Sequence, residues 1–242
     1  MRLLSRDEAW AYSGRVWAHR SAAELMSCAR FERLAAGLAH IGAPVALTLL
    51  ARNGAADERR HAALCATAAA RFGAVAMPTA PAPVWRPLVT ADDVLRDAVS
   101  FCALSESLNA TLMAVSLQRT TDDGLRRLLR ALLTDEVQHA RLGWAVLNWQ
   151  ASSRSCAFLD PWLLPTLQAA VADELLVAAD GADAHNDTPS EAAVALGILS
   201  ASERLALIVA TLRDVVFPGL TQAGIDCDGA SAWILGAAAG VG

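Results

Sequence analysis

Residues 57–61 read Asp57-Glu58-Arg59-Arg60-His61, and residues 135–139 read Asp135-Glu136-Val137-Gln138-His139. Both are D-E-x-x-H. A Glu and a His three apart lie on one helix face, so each copy can aim both side chains at one place. A single E-x-x-H arises often by chance in a helical chain. Two copies, each in the second member of a helical hairpin, read as halves of one site.

The hairpins follow from the punctuation around these segments. Helical periodicity dominates the 242 residues, and alternating strand-like runs are nearly absent. The first long helix runs roughly over 16–41 and stops at Gly42-Ala43-Pro44. The second runs to about Phe72-Gly73, with Gly54 interrupting its pattern without ending it. Residues 74–89 hold Pro78, Pro81, Pro83 and Pro87, a loop long enough to cross a bundle. A third helix starts near Thr90, with Asp92 and Asp93 in its first turn, and ends near Arg119. Thr120-Thr121-Asp122-Asp123 caps a fourth, which reaches about Ala151. Two more are expected at roughly 161–179 and 201–216, with a polar linker at 180–190 between them. The last opens on Ser200 and Glu203 at capping-box spacing and ends before Pro218. The apolar segment 230–242 reads as a helix or tail against the core. The fold class is therefore all-α and one domain: a four-helix bundle over about 16–152, with C-terminal helices over about 160–224 packed on it.

Two hairpins joined by a crossover have the connectivity of a di-metal carboxylate bundle, in which each remaining helix adds one Glu. Antiparallel neighbours match in depth when equally far from their turn. Taking Ala43 as the first turn, Glu58 and His61 lie 15 and 18 residues beyond it, and Glu24 lies 19 before it. Glu32 lies only 11 before it, about 8 Å from the level of the pair. Glu24 is the better match, and its face continues through Cys28, Phe31, Ala35 and Leu38. In the second hairpin Glu106 lies 14–15 residues before the Thr120/Thr121 junction, level with Glu136 and His139 beyond it. Glu106 sits amid Phe101, Cys102, Leu104, Leu108 and Met113, where an unpaired charge is very costly. The pattern Glu, then Glu-x-x-His, thus repeats at spacings of 34 and 30.

Four carboxylates and two imidazoles suit two iron ions, or manganese or a mixed pair, better than copper or structural zinc. Glu58 and Glu136 would bridge, Glu24 with His61 would complete one metal, and Glu106 with His139 the other. Composition removes other classes. All 20 basic residues are arginine, which excludes Schiff-base lysines and the P-loop lysine. A formal charge of −5 disfavours a broad nucleic-acid surface. Five scattered cysteines with no CxxC argue against a zinc knuckle or redox dithiol, and fit a reducing cytoplasm. Residues 1–10 are too polar for a signal sequence, and no uninterrupted apolar run reaches the ~18 residues of a membrane span.

The segments ELMSCARFERLAAGLAHIGAP, ADERRHA, SESL and DEVQHARLGW resemble those of the ferritin-like superfamily of non-haem di-iron carboxylate proteins, over roughly residues 16–150. The tail LGILSASERLALIVATLRDVVFP resembles the closing segment of bacterial ferritin-like domain proteins. The resemblance implies a ferritin-like four-helix bundle with two additional C-terminal helices, and a di-iron oxidoreductase. The leading expectation is an O2-activating oxygenase or hydroxylase acting on a small organic substrate, supplied by an external electron donor. The alternative is a ferroxidase or peroxide scavenger with no organic substrate; a metal-bearing scaffold subunit is a third reading. The implied setting is cytoplasmic, without nucleic acid or membrane, and compatible with a homodimer. The multicomponent monooxygenases of this superfamily carry D-E-x-R-H, which DERRH matches; DEVQH departs from it at Gln138.

Around the six, Asp57 and Asp135 are placed to orient the histidines, and Arg60 shares that position. Cys28, Cys65 and Cys102 fall on the ligand stripes and read as small core residues. Gly54, one turn before Glu58, either leaves room for substrate or O2 or is a helix defect. Asn109 either bonds a ligand or fills a polar gap. His19, His40 and His185 read as surface or structural. Tyr12 is expected ahead of the first helix, away from any radical role, and Trp144 and Trp149 as packing.

Overall fold

The computed structural model describes residues 5–75, 85–179 and 190–239. All the regular structure among them is helical. The middle of the Pro-rich crossover (76–84), most of the polar linker (180–189, with His185) and the end of the tail (240–242) lie outside the described residues.

Helix α1 spans Arg6–His40 and starts ten residues before the expected point. Ser5 and Glu8 explain this with a capping box: the Ser5 hydroxyl accepts from the Glu8 N–H, and the Glu8 carboxylate accepts from the Ser5 N–H. Tyr12 is therefore inside α1 and buried, not ahead of it. It still lies twelve residues, ~18 Å of helix, from Glu24. Gly42 ends the helix at φ 68°, with Ala43 N–H returning to Leu38 O at 2.9 Å, and α2 (Val45–Arg71) follows antiparallel.

The third helix is one rod with a wide turn in it. The Thr90/Asp93 capping box opens α3 (Ala91–Ala98), a π-helical segment covers Val99–Ser105, and α4 (Glu106–Arg119) completes it. Then comes α5 (Asp123–Ala151). Its N-cap Asp122 accepts from Leu125 N–H at 2.8 Å and takes both amino groups of Arg71, at 2.7 and 2.5 Å. Those Arg71 bonds hold the Asp122 carboxyl down at about 2. Asp122→Ala is expected to cost about 1 kcal/mol, most of it the cap, since the ion pair is partly exposed. With a folded pKa below the unfolded value, this stabilisation is present above about pH 4 and lost as pH falls through about 2. Urea unfolding at pH 7 and pH 2.5 checks both: the parent–variant gap should narrow at the acid pH.

The rest of the chain is α6 (Asp160–Ala179), α7 (Glu191–Ala195), α8 (Ala201–Thr211), a second π segment (Leu212–Val216), α9 (Phe217–Gln222) and α10 (Asp228–Ala239). The Ser200/Glu203 capping box is present. The helix it opens does not stop before Pro218: the rod runs on to Gln222, and Pro218 falls just after the π segment Leu212–Val216. These C-terminal helices pack on the third rod through α6 and α8. Leu163, Leu167, Ile208, Leu212, Phe217, Leu220 and Ile234 share one buried cluster with Phe31, Leu38, Ala51, Phe101, Leu104 and Leu147. A smaller cluster holds Trp17, Cys65, Phe72, Met113, Leu125, Leu129 and Leu132.

Between the two clusters α1, α2, the third rod and α5 each change character. On α1 Glu24 lies between Trp17 of one and Cys28 of the other; on α2 Glu58 and His61 lie between Ala55 and Cys65. On the third rod Glu106 lies between Leu104 and Met113, and on α5 Glu136 and His139 lie between Leu132 and Leu142. A polar layer is thus held inside an apolar column. Two helical stretches, Ala91–Arg119 and Ala201–Gln222, are long and apolar enough to cross a membrane, although no uninterrupted apolar run is. The first is mostly buried around Glu106, as a core helix should be.

Candidate metal centre

All six predicted residues meet in that layer. Glu24, Glu58, His61, Glu106, Glu136 and His139 are each at most 5% exposed. Their donor atoms form two overlapping sets, Glu24/Glu58/His61/Glu136 and Glu58/Glu106/Glu136/His139, with the atoms of each set within 4.8 Å of one another. Glu58 and Glu136 belong to both. Glu32 does not take part: it is exposed and paired with Arg59 at 2.8 Å.

The atoms turned inward are of the kind that bind cations. His61 Nδ1 lies 3.3 Å from Glu58 Oε2 and 3.5 Å from Glu136 Oε1. None of these three buried atoms has a hydrogen-bond partner. Buried polar atoms are seldom left so, because each costs on the order of 1–3 kcal/mol. His139 Nδ1 faces Glu58 Oε1 at 3.0 Å and Glu136 Oε2 at 3.3 Å.

Both rings turn Nε2 outward onto a carboxylate, and the pairs cross. His61 meets Asp135 at 3.1 Å and His139 meets Asp57 at 3.5 Å. The Asp of each D-E-x-x-H therefore faces the histidine of the other helix, with a hydrogen bond at His61 and an ion-pair distance at His139, a link that spacing within one helix does not show. Arg60 ties the two together, donating to Asp57 at 2.9 Å and Asp135 at 2.5 Å. Gln138, at the equivalent place on α5, is exposed, so one arginine serves both halves.

Charge follows the same symmetry. Burial, then the Glu58 and Glu136 charges, raises the Glu24 carboxyl well above its ordinary range. Burial, then Glu136 and Glu58, does the same to Glu106. Burial also works against ionised Glu58 and Glu136, but the facing His139 and His61 imidazoles outweigh it and hold both low. Burial opposes the imidazolium of His61, yet the facing Glu136, Glu58 and Asp135 carboxylates lift it to about 11; His139 is lifted to about 10 against the same burial. The raised carboxyls and the raised imidazoles both lessen the negative charge of the layer. Two divalent cations would do the same.

Neighbouring residues resolve earlier alternatives. A Cβ on Gly54 would sit 2.8 Å from the Phe31 ring, and that ring packs on His139 at 4.7 Å between centroids. Gly54 makes room for Phe31, not for substrate, and it is not a defect. Gly54→Ala gains about 1 kcal/mol of helix propensity but costs about 1–3 kcal/mol of overpacking. A modest net loss of stability is expected, with weaker metal retention because Phe31 must press on His139. Melting temperature and metal content, read together, test this; a more stable variant with full metal would refute it. Cys28, Cys65 and Cys102 are buried, with burial the leading cause that pushes each thiol up, as suits small core residues. Trp144 and Trp149 pack against the main cluster. His19 and His40 are exposed.

Sequence reasoning missed Arg20. Its Nε donates to Glu24 Oε1 at 3.3 Å and its amino group to Asn109, so Asn109 acts on the site through Arg20. The signal was present, since Arg20 and Glu24 are an i, i+4 pair. No family model, no curated protein and no solved structure matches this chain.

Proposed function

We propose that this layer binds two iron ions, with manganese or a mixed pair as the alternative metals, and that the protein is an O2-activating oxidoreductase acting on a small organic substrate. The fold we assign is a ferritin-like four-helix bundle enlarged by C-terminal helices. One observation carries the reading: two four-residue donor sets share Glu58 and Glu136 at the middle of a buried layer. A site for one ion needs no such overlap, and a solvated helix face would not be buried. The donor set is oxygen-rich with two nitrogens and no thiolate, which suits iron or manganese.

Such a pair of ions supplies O2 reduction and the oxidising power that follows from it. The chain's own part is to hold and shield. Glu58 and Glu136 sit between the two halves, and Glu24 and Glu106 close the ends. Asp57, Asp135 and Arg60 fix both imidazole planes. The two apolar clusters keep water from the layer. No dithiol motif, flavin or nicotinamide fingerprint occurs in the sequence, so electrons come from a separate donor. Five free cysteines support a reducing, cytoplasmic setting.

Anaerobic loading with Fe(II), followed by O2, tests the reading. Two irons per chain, and O2 uptake that an organic substrate couples to its own oxidation, are expected. Two irons oxidised with no organic turnover would favour the ferroxidase alternative; no iron uptake would end both.

A further inference from the structure

Toward the N-terminal end of α1 from Glu24, the helices α1, α4 and α5 and the turn between α7 and α8 enclose a pocket of about 70 Å³. None of the six acid and imidazole residues lines it. Its wall includes Arg20, the residue bonded to Glu24 and Asn109. One helical turn therefore joins the pocket to the metal layer. Trp17, Met113 and Leu129 form an apolar side. Gly197 closes the other at φ +74°, in a turn where even a Cβ would meet Ser116 O at 3.0 Å.

Two features define what the pocket takes. Among the described residues, its only ionised wall residues are Arg20 and Arg204, and no Asp or Glu lines it, in a chain with 25 acidic residues. A guanidinium offers five N–H donors, so it can serve a ligand beside its partners in the protein. Secondly, Ser13 lines the pocket, is 2% exposed, and its hydroxyl oxygen has no hydrogen-bond partner. A buried hydroxyl left unpaired weakens a fold unless a ligand uses it.

We infer that the pocket binds a small organic acid, its carboxylate between the arginines and Ser13 and its apolar body against Trp17, Met113 and Leu129. A water-sized group needs roughly 10–15 Å³ of such space, so the enclosed part holds on the order of six non-hydrogen atoms. Short-chain monocarboxylic acids of about three to five carbons have that size. Naming the acid the substrate rests on the oxygenase reading; its binding does not.

Titration calorimetry on the 242-residue chain, as purified and again after chelation, tests this. The probes are propanoate, butanoate and pentanoate, set against butan-1-ol, pentan-1-ol and inorganic phosphate. At least one acid should bind tenfold or more tightly than its alcohol and than phosphate, with or without metal. Arg204→Gln should weaken that acid at least tenfold, and Ser13→Ala about threefold, at an unchanged melting temperature. Should Arg204→Gln fail to fold, Ser13→Ala decides alone. The inference is overturned if no acid binds, if the alcohols or phosphate bind equally well, or if the folded variants bind like the parent. An acid that binds a protein unable to take up iron would retain the pocket and remove the di-iron reading. Iron uptake with no acid binding would do the reverse.

Discussion

Glu58→Ala or Glu136→Ala should lower the metal content of the purified protein from about two ions per chain to well below one, while Glu32→Ala leaves it unchanged. Both shared carboxylates serve each half of the layer, so neither half survives the loss of one. Glu32 is exposed and paired with Arg59, outside both donor sets. Glu58→Gln is the companion variant, because it keeps the side-chain volume while removing the charge. Elemental analysis of folded variants reads the outcome. Full occupancy in either Glu58 or Glu136 variant would sink the paired-metal assignment.

The same layer predicts proton release. Burial and the Glu58 and Glu136 charges raise the Glu24 and Glu106 carboxyls, and the facing carboxylates lift His61 and His139 to about 11 and 10 against their burial. Two divalent ions need both imidazoles free of the ligating proton, so loading near pH 7 should release at least about two protons per chain. Metal affinity should therefore fall as pH falls. In chelated protein the sign for stability is opposite to that of an acid. A raised histidine pKa contributes fully below about pH 6.5 and is lost as pH rises through about 10 to 11. Proton release in weakly buffered solution and alkaline unfolding of the chelated protein measure the two effects.

Much of this site was legible as spacing. Depth counted from the Gly42 turn separates Glu24 from Glu32, and only one of them is buried. Capping at Thr90, Asp122 and Ser200 was readable because caps are local chemistry. What a single helix cannot show was lost. The crossed pairs of Asp57 with His139 and Asp135 with His61 exist only when α2 and α5 meet. The start of α1 was misplaced because its first turns carry few apolar residues; Trp10 packs edge-on to Phe72, 62 residues away. The apolar faces of the C-terminal helices say that they dock, but not which residues they meet.

Gly143→Ala should be the most damaging single-methyl change in the protein, even though the same change in an exposed helix helps. A Cβ at Gly143 would lie 2.2 Å from Ala103 N and 2.7 Å from the Cys102 carbonyl carbon. Those are backbone atoms of the Val99–Ser105 π segment, so no flexible side chain can give way. The wide turn brings this backbone against α5 directly before Glu106, and glycine on α5 lets it approach, one turn from His139. Separating the two by about 1 Å loosens core contacts and moves Glu106 away from Glu136 and His139 together. The expected cost is about 3 kcal/mol or more, against a helix-propensity gain of about 1 kcal/mol. Gly236→Ala is the control: nothing lies within 4 Å of its Cβ position in α10, so propensity alone should act, giving a gain of up to about 1 kcal/mol. Chemical denaturation of both variants, with metal content measured beside it, shows the opposite signs. A Gly143→Ala protein as stable and as fully loaded as its parent would mean that α5 does not rest on the π segment, and that Glu106 owes its position to something else.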